Sequence, residues 1–122
     1  MKEHMMSREV AKEPRDLSRL FFERVNAGDV GGVVELFEPD AVSRFPDGTL
    51  AVGHDQLRAA FEELIASGVE FSAVDDRPSL VNGDLAMTSR HLPIGDVPVE
   101  VARRQADGSW RWVLDWANVL AS

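Results

Sequence analysis

Leu17, Leu20, Phe21 and Val25 recur at i, i+3, i+4 and i+8, one apolar stripe of a helix that begins near Pro14, a residue tolerated in a first helical turn. The run "NAGD" stops that helix and starts another. Gly28 suits the left-handed conformation past a helix end, and Asp29 suits an N-cap. A short second helix is expected over Val30 to Phe37, weakened by Gly31 and Gly32 and closed by Pro39. "AVSRF" and "TLAV" then read as extended segments joined by a Pro46-Asp47-Gly48 turn. Leu57, Ala60, Phe61, Leu64 and Ile65 form the stripe of a third helix, about Asp55 to Ser67, which Gly68 ends. The remainder reads as strands near 69–76, 85–92, 97–105 and 110–120, broken by "RPS", "PIGD" and "ADGS". Helices first and a strand meander afterwards predict an α+β fold, with helices against one face of an antiparallel sheet. Residues 1–12 are polar and unpatterned and read as a flexible arm, leaving 13–122 as one domain.

Composition narrows the chemistry. A chain of 122 residues buries enough apolar surface to fold without disulfides or metal. With no cysteine, thiolate catalysis and Cys-ligated metal are excluded. A net charge of −8 with scattered basic residues disfavours nucleic acid and anionic membranes as partners. No apolar run reaches membrane-spanning length and the N-terminus lacks a hydrophobic signal segment, so a cytoplasmic protein is expected. No two histidines and a carboxylate stand at ligand spacing, and there is neither a Gly-rich phosphate loop nor a Gly-x-Ser-x-Gly elbow. The expectation is therefore no metal, no cofactor and no covalent nucleophile.

"FFERVNAGDVGGVVELFEPDAV", "GHDQLRAAFEELI" and "RRQADGSWRWVLDWAN" stand in an order and spacing that cover about residues 15 to 120. In these runs the chain resembles SnoaL-like and ketosteroid-isomerase-like members of the nuclear transport factor 2 superfamily. The resemblance implies a cystatin-like, cone-shaped α+β barrel, with three N-terminal helices packed in a strongly bent, mainly antiparallel sheet. It also implies a deep apolar pocket at the open end, and a homodimer formed through the outer sheet face. The family's ketosteroid isomerases use a tyrosine, an aspartate base and a second carboxylic acid. Carried onto this sequence, those positions fall on Phe21, Phe45 and, within a residue or two, Glu100. Phenylalanine transfers no proton, so steroid isomerisation by that mechanism is not expected.

Pleat alternation supplies the rest of the candidate site. Straight alternation in the last strand puts Trp110, Trp112, Leu114, Trp116 and Asn118 on one face, so apolar that it should point inward, and Asp115 on the other. In "LAMTSRHL" the apolar weight of Leu85 and Met87 argues that Ser89 and His91 face in; a β-bulge would exchange His91 for Arg90. His91, titrating near neutral pH, is the candidate general base or acid. Glu100, if it faces the cavity, would be held protonated as a donor, an arrangement known for an aspartic acid in ketosteroid isomerase. Asn118, with Ser89, would polarise a carbonyl. Phe21, Phe45, Phe61, Met87, Trp112 and Trp116 would form the walls.

Three functions fit these residues. One is an enzyme that moves a proton on a hydrophobic planar substrate: an isomerase, cyclase or dehydratase. Another is a module that binds a hydrophobic ligand without chemistry. The last is a dimeric scaffold whose cavity is packed shut. Fold does not choose among them.

Overall fold

The computed structural model describes residues 8–72 and 77–120. Helix α1 (Asp16–Asn26) buries Leu17, Leu20 and Val25 along the expected stripe. Gly28, at φ 74°, makes the left-handed turn that follows it. Asp29 caps α2 (Val30–Val34) by accepting the Gly32 N–H at 3.0 Å. α2 ends sooner than its sequence suggests. The Leu36 carbonyl accepts the Trp112 N–H at 2.8 Å, so the chain has already left the helix and enters strand β1 (Phe37–Arg44). Pro39 thus lies inside β1, in the stretch where its register with the neighbouring strand slips and a missing N–H breaks no ladder bond. Strand β2 (Leu50–Val52) returns antiparallel to β1 across the Pro46-Asp47-Gly48 turn, as expected, and leads into α3 (Gly53–Ala66).

No strand forms at 69–72. The Asn26 amide holds the Phe71 backbone at both its N–H and its carbonyl, each at 2.8 Å, and so takes the place of a ladder partner. The rest of that expected strand, 73–76, lies outside the described residues. Strand β3 is instead Leu80–Asn82, a hairpin partner of β4 (Leu85–Ser89). Gly83, at φ 62°, takes the first position of their two-residue turn, where a positive φ is required. Strands β5 (Val99–Arg104) and β6 (Trp110–Trp116) complete an open six-stranded sheet in the order β2-β1-β6-β5-β4-β3. All neighbours are antiparallel except β1 and β6. α3 packs on β1 and β2, and α1 approaches β6. The result is the α+β architecture expected from the sequence.

Of the arm expected over residues 1–12, residues 1–7 lie outside the described residues and residues 8–12 are tied to the domain. Arg8 spans Asp29 and Glu35, Ala11 is buried, and the Ala11 carbonyl accepts the Trp110 N–H at 2.9 Å. The buried Arg24 locks this segment by donating to the carbonyls of Glu9 and Gly32. No helix among the described residues is long and apolar enough to cross a membrane.

Two ladders run across the sheet, one on each face. On the convex face Leu80, Met87, Val101, Leu114, Val42 and Val52 are successive cross-strand neighbours from β3 to β2. On the concave face the corresponding row is Thr88, Glu100, Asp115, Ser43 and Ala51. Val113 sets this alignment. Ala102 pairs with Trp112 and Val101 with Leu114, so Val113 is an extra residue with no partner of its own on β5. Trp110 and Trp112 point into the core before it; Asp115 and Ala117 point into the concavity after it.

Candidate functional site

The concave row is polar and sits in an apolar setting. Ser43, Thr88 and Glu100 are all nearly inaccessible to solvent. Arg90, two residues beyond Thr88 and equally buried, donates from Nη1 to Glu100 Oε2 at 2.6 Å and from Nη2 to Glu100 Oε1 at 2.9 Å. Thr88 Oγ1 donates to the same Oε1 at 2.7 Å. Glu100 therefore accepts three hydrogen bonds from groups that stay in place, the arrangement that lets a carboxylate be buried. Asp115 beside it is held differently. Its Oδ2 accepts the Ser43 hydroxyl at 3.0 Å. Burial, and then the neighbouring Glu100 charge, push the Asp115 carboxyl up to about 7, against the opposing pull of Ser43 and Arg90.

Above this row the sheet and helices enclose a cavity of about 280 Å³. Its walls are the rings of Phe21 and Phe22 from α1, Phe45 past β1, Phe61 from α3, Phe71 and Trp112, and these rings meet edge-on or tilted at centroid separations of 5.0 to 6.0 Å. Leu92, Ile94, Asp96 and Pro98, from the loop between β4 and β5, form one rim. The indole N–H of Trp112 is buried and has no hydrogen-bond partner.

Of the residues expected at the site, Phe21, Phe45, Phe61, Trp112 and Glu100 converge on this cavity. The others do not. Straight alternation holds through β4, but the inward face is Ala86, Thr88 and Arg90. Met87 is exposed, His91 is exposed, and the Ser89 hydroxyl is turned to the Pro98 carbonyl at 2.8 Å. The apolar weight of Leu85 and Met87 belongs to the convex ladder, which is itself hydrophobic. Trp116 is on that convex face too, beneath the Arg44 guanidinium at 5.9 Å from its ring centre, because the Val113 bulge reverses the strand after Trp112. The same reversal turns Asp115 inward. Asn118 lies at the chain end, where its amide accepts from Val97 N–H at 3.0 Å and donates to Asp96 at 3.2 Å. Its role there is to fasten the rim loop. Glu100 is an acceptor in this network rather than the neutral donor expected of it. His54, which does not line the cavity, donates from Nε2 to the Phe37 carbonyl at 2.8 Å.

Asp115, Arg90, Thr88 and Ser43 are the polar groups that sequence reasoning missed or weighed second. One signal for Asp115 was present: Trp112-Val113-Leu114 is an apolar triplet in an otherwise alternating strand, the mark of an inserted residue. Among the described residues, no group of three or more His, Cys, Asp or Glu side chains is placed to hold a metal ion.

Comparison with known proteins places this geometry. No curated protein matches the sequence. Solved structures match the fold. A protein described as a calcium/calmodulin-dependent protein kinase type II association domain, from Thiobacillus denitrificans, superposes with a TM-score of 0.74 at 20% identity, over 90% of this chain and 97% of that one. A ketosteroid isomerase-like protein from Erwinia carotovora superposes at 0.66 with 20% identity, over 84% and 89%. A nuclear transport factor 2-like protein with a cystatin-like fold, from Novosphingobium aromaticivorans, gives 0.63 at 22% identity, over 91% and 82%. The family model for the SnoaL-like domain matches residues 18–118, from the first helix to the end of the last strand. A helix-covered, cystatin-like sheet with its polar row under an aromatic cavity, matched along nearly its whole length, makes this chain a member of the SnoaL-like domain family.

Proposed function

We propose that the chain is an enzyme that transfers a proton on a hydrophobic, planar substrate, in the manner of an isomerase, cyclase or dehydratase, with Asp115 as the acid and base. The observation that carries this reading is a carboxyl pushed up to about 7 inside a cavity walled by phenylalanine and tryptophan. A group poised there holds both protonation states near neutral pH, the condition under which general acid–base catalysis is most effective. In its ionised form Asp115 removes a proton from a carbon beside a carbonyl; the acid so formed returns that proton to a second atom of the same substrate. Ser43 fixes Oδ2, which leaves the other carboxyl oxygen for the substrate. Arg90 and Glu100 neutralise each other and supply a fixed polar floor. Phe21 and Phe45 stand where ketosteroid isomerases carry proton-handling groups, so the reaction is not a steroid isomerisation by that route.

The test is turnover of flat cyclic ketones by the wild type and by Asp115→Asn. Loss of turnover with retained ligand binding supports the assignment. Binding without turnover in the wild type itself supports a non-catalytic carrier instead.

The same reading includes a homodimer through the convex face. Leu80, Met87, Leu114 and Val52 of that ladder are 70%, 47%, 50% and 51% exposed, and Trp116 and Leu50 beside them 46% and 52%. A contiguous apolar strip across six strands suits a second copy of the same surface.

A further inference from the structure

Glu100 is buried and lines the cavity, with its carboxylate held by Arg90. Arg90 is the one basic side chain lining the cavity among the described residues. Among the described residues three carboxyl groups, Asp96, Glu100 and Asp115, line the same cavity. A guanidinium facing an aromatic pocket is by itself an anchor for an acid, because its paired N–H groups match a carboxylate. Here that match is already made from within the protein. Both terminal nitrogens of Arg90 are directed onto the two oxygens of Glu100, and Thr88 fixes the carboxylate from the adjoining strand.

We propose that Glu100 is the specificity determinant of the pocket: it occupies Arg90 as a built-in carboxylate and thereby restricts the site to substrates that carry no negative charge. This rests on the reading of the cavity as a ligand site given above and adds the charge class of the substrate. An anionic ligand meets the carboxylates of Asp115 and, at the rim, Asp96, while the guanidinium that would attract it is engaged by Glu100; a neutral ketone meets only the cost of covering a satisfied ion pair. In a cavity with apolar walls, like charges are screened weakly and the penalty is large.

Three compounds of one shape separate charge from fit: 2-acetylnaphthalene, 2-naphthoic acid and 2-(aminomethyl)naphthalene, titrated calorimetrically into the full chain at pH 8. The expected result is that the acid binds at least tenfold more weakly than both the ketone and the amine. The amine controls for simple desolvation, which penalises either charge. Equal weakness of amine and acid would therefore overturn the proposal, as would an acid that binds on a par with the ketone. Glu100→Gln keeps an acceptor for Thr88 and removes the charge; in it the ketone-to-acid affinity ratio should fall at least tenfold. An unchanged ratio in a folded variant overturns the assignment to Glu100. If Glu100→Gln does not fold, the wild-type series decides alone. Binding of none of the three compounds would remove the ligand-site reading itself, an outcome distinct from loss of charge selectivity.

Discussion

Glu100 on β5 and Asp115 on β6 are direct cross-strand neighbours on the concave face, two carboxyl groups side by side in an apolar setting. They are not equivalent. Arg90 closes on Glu100 through two nitrogens, whereas Asp115 receives a serine hydroxyl. When two acids share a buried site, the one with the better partner carries the charge and its neighbour keeps the proton. The asymmetry of partners therefore assigns the titrating role to Asp115.

That assignment has a signature in stability. An aspartate raised to about 7 in the folded chain, from an ordinary value of 3.8, binds more protons folded than unfolded between those limits. Its contribution thus favours folding at low pH and is lost as pH rises through about 7, with a slope of at most about 1.4 kcal/mol per pH unit. Urea unfolding of wild type and Asp115→Asn at pH 4.5, 5.5, 7 and 8 isolates this term as a difference. The stability of the variant relative to the wild type should increase with pH; a constant difference would show an Asp115 that stays ionised throughout.

Catalysis separates Asp115 from the histidine that the sequence favoured. Asp115→Asn should lower kcat by about 100-fold or more, the usual worth of a positioned acid or base. His91→Ala, at an exposed position outside the cavity, should leave kcat within about twofold of the wild type, as surface changes away from a site commonly do. Steady-state rates on any turned-over ketone check both.

Ser43 is a positioning residue with a distinct readout. Its hydroxyl stabilises the ionised carboxyl of Asp115. In Ser43→Ala the pH midpoint of kcat should move upward by roughly one unit, from loss of a hydrogen bond to a charged group. A merely structural serine would alter melting temperature and leave that midpoint where it is.

The Arg90–Glu100 pair is costly to break and cheap to replace. Arg90→Met leaves a buried carboxylate without its guanidinium and should destabilise the fold by about 3–5 kcal/mol. Adding Glu100→Leu should recover most of that loss, because an apolar pair has no desolvation penalty. Chemical denaturation of the two single variants and the double variant gives the coupling directly.

The convex ladder is tested by one charge. Leu114→Asp places a carboxylate at the centre of the apolar row, between Val101 and Val42, and should convert a dimer to a monomer in sedimentation velocity without changing the circular dichroism. A wild type that sediments as a monomer would itself remove the dimer.

Helical periodicity made much of the aromatic cavity legible, since Phe21 and Phe61 lie on stripes whose other members are core, and turn chemistry located most strands. What it did not reveal was which side of each strand faced the helices. Hydrophobicity identifies the buried face of a sheet only when the other face is polar. Here Leu85, Met87 and Leu114 make the outer face as apolar as the inner, so the direction chosen from their weight was reversed for Ser89 and His91. Trp116 and Asp115 were exchanged for another reason, the unpaired Val113. Polar residues such as Thr88 and Arg90 were the more informative ones, because they are tolerated inside only where partners are waiting.

Val113 also fixes which side chains of β6 meet the pocket. One unpaired residue separates a half of β6 whose tryptophans are committed to the core from a half that presents an acid to the cavity. Deleting Val113 would leave a regular strand with Trp112 and Asp115 still inward and Leu114 and Trp116 outward. Pairing Val113 with a residue of β5 would instead reverse every side chain after it, directing Trp116 inward and Asp115 outward, while leaving Trp110 and Trp112 where they are. Whether Asp115 or Trp116 meets the cavity is then a matter of pairing register along a single strand, a change that requires no new side chain and spares the hydrophobic centre.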